Sequence, residues 1–241
     1  MKHLSKKIVS WIKKEVSNSH RKGIVLGLSG GLDSGVAAVL AKEAVGKNLL
    51  CLILPCESSQ DDLNDAIAIS QIFELPTKTV DLTDIYKKLL DTLPPGNKIS
   101  YANLKARLRM LVLYYFANKL NYLVCGTSNK SELLSGYFTK FGDGASDILP
   151  LGDLLKSQVK ELAKELSIPE KVINKIPTAG LWPGQTDEKE LGISYRELDD
   201  ILERLEKKKK QFLPEEKVKK VRNLIKNSEH KRQLPRICKI S

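Results

Sequence analysis

Leu4, Ile8, Trp11, Ile12 and Val16 recur at helical spacing, so the chain opens with an amphipathic helix. A different pattern follows. The run Ile24-Val25-Leu26-Gly27-Leu28 is unbroken and apolar, too short for a helix and suited to a strand covered on both faces. Further strands are expected at 49–54, 77–80 and 122–125, with helical patterns between the strands over 34–45, 61–73, 85–90 and 103–120. Pro55 closes the second run, and Pro94-Pro95-Gly96-Asn97 breaks the chain before the longest helix. Strands alternating with helices predict βαβ units, hence an α/β fold with an open parallel sheet and helices on both faces. Ligands bind such sheets beyond the carboxyl ends of the strands. The segments that follow residues 28 and 125 are therefore expected to face one site.

Beyond residue 128 the pattern loosens. Residues 128–153 are rich in Gly, Ser, Asp and Thr, whereas 155–166, 194–208 and 214–226 return to helical spacing. The stretch 176–192 carries Pro177, Pro183 and two interior glycines, so it is expected to form no regular element and to serve as a mobile lid. No internal repeat is visible, and residues 1–241 read as one domain.

Composition narrows the class. Hydrophobic residues at 41% and charged residues at 29% are those of a soluble globular chain. No apolar run approaches the roughly 20 residues of a membrane span, and the N-terminus lacks the apolar stretch of a secretory signal. The four cysteines, Cys51, Cys56, Cys125 and Cys238, form neither a C-x-x-C pair nor a zinc spacing. Reduced structural thiols and a cytoplasmic location are expected, and sulfur transfer is disfavoured. The net charge of +11 suits either RNA or small anionic substrates. Much of it falls in 207–210 and 217–226, which read as solvated helix faces, so nucleic acid is not the expected partner.

The candidate chemistry begins at Ser29-Gly30-Gly31-Leu32-Asp33-Ser34, directly after the first strand. A strand that turns through glycines into a helix presents unpaired N–H groups and the positive end of the helix dipole, which together cradle an anion. The turn lacks the Lys of the mononucleotide P-loop and carries an Asp instead, which suggests a magnesium ion bridging to phosphate. The second segment is Gly126-Thr127-Ser128-Asn129-Lys130-Ser131-Glu132. Alone, Asp33 or Glu132 would be a helix cap or a surface charge. At one sheet edge, two loop-borne carboxylates form the protein's share of a metal–nucleotide site.

The first segment resembles the pyrophosphate loop of the ATP pyrophosphatases, which cleave ATP to AMP and pyrophosphate while adenylating a substrate. Further segments narrow the resemblance to the ammonia-dependent NAD synthetases over nearly the whole chain. They are the helix around Ala106-Arg107-Leu108-Arg109-Met110, GYFTKFGDGASD at 136–147, Pro177-Thr178-Ala179, Gly184-Gln185-Thr186-Asp187-Glu188, LGISY at 191–195 and EHKR at 229–232. The family implies an adenine-nucleotide α-hydrolase-like, Rossmann-like sheet. It also implies ATP-dependent amidation of deamido-NAD by ammonia, a deamido-NAD adenylate, and a homodimer. Carried over by position, Gly27, Leu28, Ser29, Gly30, Gly31, Leu32, Asp33, Ser34, Thr127, Lys156 and Thr178 would bind ATP. Asp33 and Glu132 would hold Mg2+, with Lys156 beside them as the third catalytic group. Arg107, Lys140, Asp147, His230 and Lys231 would bind deamido-NAD. Some bacterial members have an ATP-contacting Arg where this chain has Ile53, and residues 56–60 match those members poorly. No glutaminase domain is expected, so ammonia would arrive free or from another protein. Two rivals remain at this stage: a tRNA-modifying enzyme with the same loop, and a non-catalytic adenine-nucleotide-binding module.

Overall fold

Strand β1 (Gly23–Gly27) alternates faces in the way its burial demands. Ile24 and Leu26 point into one apolar cluster and Val25 into another. Strand β2 (Leu49–Ile53) repeats the division, with Cys51 and Ile53 on the first face and Leu52 on the second. β3 (Thr77–Thr79) and β4 (Tyr122–Val124) complete a parallel sheet in the order β3-β2-β1-β4. The computed structural model describes residues 2–209 and 214–240, so Lys210 of the basic run lies outside the described residues.

Helices cover both faces, as the strand pattern requires. The first face packs against α1 (Lys2–Asn18), α2 (Leu32–Val45) and α3 (Gln60–Ile72). The second packs against α4 (Thr83–Thr92) and α5 (Lys98–Leu120). α5 begins five residues before its expected start because the Asn97 side chain accepts the Ser100 N–H and caps it.

The chain runs outward from β1 through β2 to β3, then returns to place β4 on the other side of β1. That reversal opens a crevice at the carboxyl ends of β1 and β4, the switch point where open α/β sheets bind ligands.

The C-terminal part builds one wall of this crevice. It comprises α6 (Lys130–Ser135), α7 (Lys156–Glu165), α8 (Glu170–Ile173), α9 (Asp187–Leu191), α10 (Tyr195–Glu206) and α11 (Glu215–Asn227). α7 also packs on the first face of the sheet, and α9, α10 and α11 share a separate apolar cluster around Leu198, Ile201 and Val221. The expectation that 176–192 holds no regular element is corrected by α9. Asp187, Glu188 and Glu190 favour its N-terminal dipole, and Gly192 ends it in the left-handed region at φ +63°. Cys51, Cys56 and Cys125 are buried free thiols, and burial pushes Cys51 and Cys125 up to about 12. They act as small apolar residues.

Candidate active site

The turn after β1 is built to leave donors open. Gly31 caps α2 with no side-chain hydrogen bond, so the first N–H groups of the helix keep no capping partner. The loop is held from within. Ser34 Oγ donates to Gly31 O at 2.9 Å and lies 3.0 Å from Ser29 Oγ, which accepts the Gly31 N–H at 3.3 Å. Gly30 sits at φ +79° against the first turn of α3, where a Cβ would stand 2.2 Å from Asp62 O. Only glycine fits there. The result is a preformed anion cradle at a helix N-terminus, opening into a cavity of about 530 Å³, the size of an ordinary ligand site.

Across the cavity mouth, α2 and α6 bring two carboxylates together around one ammonium. Lys156 Nζ donates to Asp33 Oδ2 at 2.5 Å and to Glu132 Oε1 at 3.1 Å. Asp33 lies in the first turn of α2, and Glu132 at the third position of α6. Their side chains are only 14% and 15% exposed, so both stand on helix starts and largely buried rather than on surface loops as expected. Glu132 also closes the cap of its own helix. Its Oε2 accepts the Asn129 N–H at 3.3 Å, while Asn129 Oδ1 accepts the Glu132 N–H at 3.0 Å, a closed capping box. Asn129 Nδ2 donates to Asp33 Oδ1 at 2.9 Å and ties the two loops together. Lys156 is fixed at its own backbone, where its N–H donates to Ser131 Oγ at 3.0 Å; that hydroxyl in turn donates to the buried Asp199.

A third carboxylate completes the electrostatics. Asp187 is 4% exposed and accepts the Tyr195 hydroxyl at 3.0 Å through Oδ2, while its Oδ1 is buried without a partner. Burial raises the Asp187 carboxyl against the pull of Lys156. Burial likewise pushes Glu132 up to about 7, with Lys156 opposing and the Asp33 charge adding to the rise. Burial works against the Lys156 charge, but Asp33 and Glu132 outweigh it and hold the ammonium above its ordinary range. The lysine is therefore the group that stays charged. With Asp33, Glu132 and Asp187 around one ammonium, the Asp33 charge adds to the rise of Glu132, and a further cation would relieve that repulsion.

The donor set suits a nucleotide-bound metal rather than a metal held by protein alone. Among the described residues, no three His, Cys, Asp or Glu side chains form a metal-holding group. Two carboxylates with waters and phosphate oxygens are the usual protein share for magnesium. The Lys156 ammonium already stands as a cation between those two carboxylates.

The structure sorts the residues read from the sequence into two groups. Gly27, Leu28, Ser29, Gly31, Leu32, Asp33, Ser34, Thr127, Lys156 and Thr178 all line the cavity, with Glu132, while Gly30 supports the loop from behind. Of the residues expected to meet deamido-NAD, Lys231 lines it, donating to Gly136 O and Phe138 O at 2.8 and 2.9 Å. Arg107, Lys140 and His230 gather on an adjoining surface instead. Arg107 Nη2 donates to Lys140 O at 3.3 Å, and Lys140 Nζ to His230 O at 2.5 Å. Asp147 stands apart and accepts the Val124 N–H at 2.7 Å and the Tyr114 hydroxyl at 3.2 Å. The segment before α9 lies over the cavity, with Pro177, Thr178, Ala179 and Leu181 on its wall. It is anchored by Lys175 on Asp62 at 2.6 Å and Asp65 at 2.7 Å, and by the Lys98 ammonium 4.1 Å above the Trp182 ring.

Asn129, behind the paired carboxylates, and Asp187 and Arg109, on the cavity wall, were given no role from the sequence. Asn129 carried a usable signal, since Asn with Glu three residues on is a capping-box pattern. Asp187 followed by acids at a helix start reads as a cap, with nothing local to mark its burial. Arg109 lines the cavity and donates to Leu54 O at 3.0 Å and Ser58 Oγ at 3.2 Å, contacts set wholly by tertiary packing.

Comparisons with known proteins agree on one family. A family model described as NAD synthase matches residues 4–235. The NH(3)-dependent NAD(+) synthetase of Archaeoglobus fulgidus is 44% identical over 237 residues, covering 97% of this chain and 95% of that one. Among solved structures, NMN synthetase from Francisella tularensis superposes with a TM-score of 0.92 at 40% identity, covering 98% of both chains. NH3-dependent NAD synthetase from Campylobacter jejuni, in complex with the nitrate ion, gives 0.87 at 32% identity over 99% of this chain and 98% of that one. Full-length similarity at this level, joined to a cradle and paired carboxylates at the sheet's switch point, means that the chain belongs to the NAD synthase family.

Proposed function

We propose that the protein joins ammonia to the nicotinate carboxylate of deamido-NAD, converting ATP to AMP and pyrophosphate and releasing NAD. The observation that carries this reading is the opening of the uncapped α2 N-terminus and the Asp33–Lys156–Glu132 cluster into one cavity. In the first step a nicotinate carboxylate oxygen attacks the α-phosphorus of ATP. An O–P bond forms, the Pα–O–Pβ link breaks, and pyrophosphate leaves. In the second, the ammonia nitrogen attacks the carbonyl carbon, the C–O bond to AMP breaks, and a proton is lost. Adenylation is needed because a carboxylate is a poor acylating agent.

The chain contributes position and charge rather than a covalent nucleophile. The cradle at 29–34 suits the leaving pyrophosphate, and Lys156 suits the charge that builds during its departure. Asp33 and Glu132 would hold Mg2+, which when bound supplies Lewis-acid polarisation of the phosphate oxygens. The segment before α9 would exclude water, which otherwise hydrolyses the acyl-adenylate.

Arg107 shares a helix face with Leu111 and Tyr115, which are 61% and 59% exposed. Such an exposed apolar stripe supports a homodimer with the dinucleotide site at its border. Buried free thiols and the lack of any membrane-length apolar helix among the described residues fit a cytoplasmic enzyme.

The test is direct. Protein supplied with ATP, magnesium, ammonium and deamido-NAD should form NAD and AMP in equal amounts without RNA. Absence of NAD would sink the reading. Glutamine in place of ammonium should give none. One observation favours a second acceptor, the similarity to the Francisella NMN synthetase. The ratio of kcat/KM for deamido-NAD and for nicotinate mononucleotide in the same assay decides between them.

A further inference from the structure

Lys156 stands where a metal ion would have to stand. Its ammonium contacts both Asp33 and Glu132, so these carboxylates cannot hold the lysine and a divalent cation in the same geometry. Two like charges at contact distance inside a poorly solvated cavity repel strongly, so the lysine must leave as the ion arrives.

The cavity wall holds one acceptor ready for it. Asp187 Oδ1 is buried and accepts nothing. The surrounding donors are committed. Tyr195 gives its single O–H to Asp187 Oδ2; Tyr137, whose hydroxyl also stands within reach of the Asp187 carboxyl, gives its own to Glu190 Oε2 at 2.6 Å, and Gln185 Nε2 donates to the same Glu190 oxygen at 2.8 Å. A carboxylate oxygen left dry in this way is unfavourable unless another state of the site satisfies it. Lys156 Nζ already lies 5.1 Å from the centre of the Tyr195 ring, whose hydroxyl holds Asp187. The lysine stem is flexible and its ammonium carries three donors, so its last torsions can carry it along that ring while the cation–π contact persists.

We propose that Lys156 is the cation that Asp33 and Glu132 hold in the free protein, and that Asp187 is the positioning residue that receives it when a divalent ion settles between those two carboxylates. The exchange rests on the metal role proposed for those two carboxylates. It makes the lysine a competitor for the ion in the free protein. It also ties metal binding to nucleotide binding, since phosphate oxygens supply the ligands that let the ion win.

Manganese titration of the substrate-free full chain, with free Mn2+ read by electron paramagnetic resonance, tests the exchange. K156M should bind Mn2+ about tenfold or more tighter than wild type, because the competitor is gone. D187N should bind it about fivefold weaker, because the displaced lysine loses its acceptor. The decisive arm is the double variant. With no lysine to receive, D187N should change nothing in the K156M background. Equal weakening by D187N in both backgrounds would mean that Asp187 acts only through its charge, and would overturn the exchange. A KM for ammonium that rises in D187N with Mn2+ binding unchanged would assign Oδ1 to the incoming ammonium, and would overturn it too. A folded K156M that binds no Mn2+ would remove the metal reading itself. Matching near-ultraviolet circular dichroism of the variants establishes that each is folded.

Discussion

Replacing Gly30 by alanine probes the geometry on which the phosphate cradle turns. Gly30 has φ +79°, and a side chain in the left-handed region costs about 1–2 kcal/mol. The new Cβ would lie 2.2 Å from Asp62 O and 3.0 Å from Ala66 N. Both are backbone atoms of α3, so relief requires the loop and the helix to move apart, which costs about 1–3 kcal/mol more. The sum is about 2–5 kcal/mol. At roughly 2–4 °C per kcal/mol for a chain of this size, G30A should melt about 4–20 °C below wild type in a calorimetric scan. Gly31 is the matched control. Its φ is −89°, and an added Cβ would meet only Ser29 Oγ at 3.4 Å. G31A should therefore melt within about 2 °C of wild type. If the two variants melt together, the close approach of the loop to α3 is not what holds the cradle, and the argument fails.

Other expectations follow from the charged cluster and the overlying segment. D33A and E132A should each lower the rate of pyrophosphate release at least about a hundredfold while melting cooperatively, and near-normal turnover at saturating magnesium would remove their assignment. The folded Glu132 carboxyl, at about 7, lies above its ordinary 4.5, so its favourable share of stability is complete below the lower value and is lost as pH rises through the upper. Between about pH 5 and pH 8 the substrate-free wild type should therefore lose on the order of 2–3 kcal/mol relative to E132Q, read by denaturant titration at each pH. Proteolysis within residues 176–186 should be slowed by ATP and deamido-NAD together, and K175A, which frees the tether to Asp62 and Asp65, should speed it in their absence. Cleavage rates indifferent to both changes would mean that this segment is no lid.

The unbroken apolar runs at 24–28 and 49–54, with helical patterns between the strands, were enough to read a parallel sheet covered on both faces, because such signals lie within a few consecutive residues. The cradle was legible for the same reason: two glycines between a strand and a helix encode a local backbone shape. α6 and α9 were harder to see. Six- and five-residue helices carry too few turns for periodicity, and the signals that define them are caps, Asn129 with Glu132 and Gly192. Lys156 bridging Asp33 and Glu132 could not be read from spacing, since its two partners lie 123 and 24 residues away and only the switch-point topology joins them. Asp187 was invisible for a related reason. Glu188, Lys189 and Glu190, which follow it, are exposed and charged, and its burial comes from Tyr195 and the wall of α10.

The capping box of α6 has a thermal consequence. Asn129 closes that helix with one end of its side chain and grips Asp33 with the other. A six-residue helix has almost no stability of its own, so it holds its shape only while its cap and its packing on α11 persist. Opening of this one turn would release both carboxylates while the sheet stays intact, and such local openings cost less than global unfolding. On warming, turnover should therefore fade before the main melting transition. The upper working temperature of the protein would be set by a single asparagine rather than by its hydrophobic core.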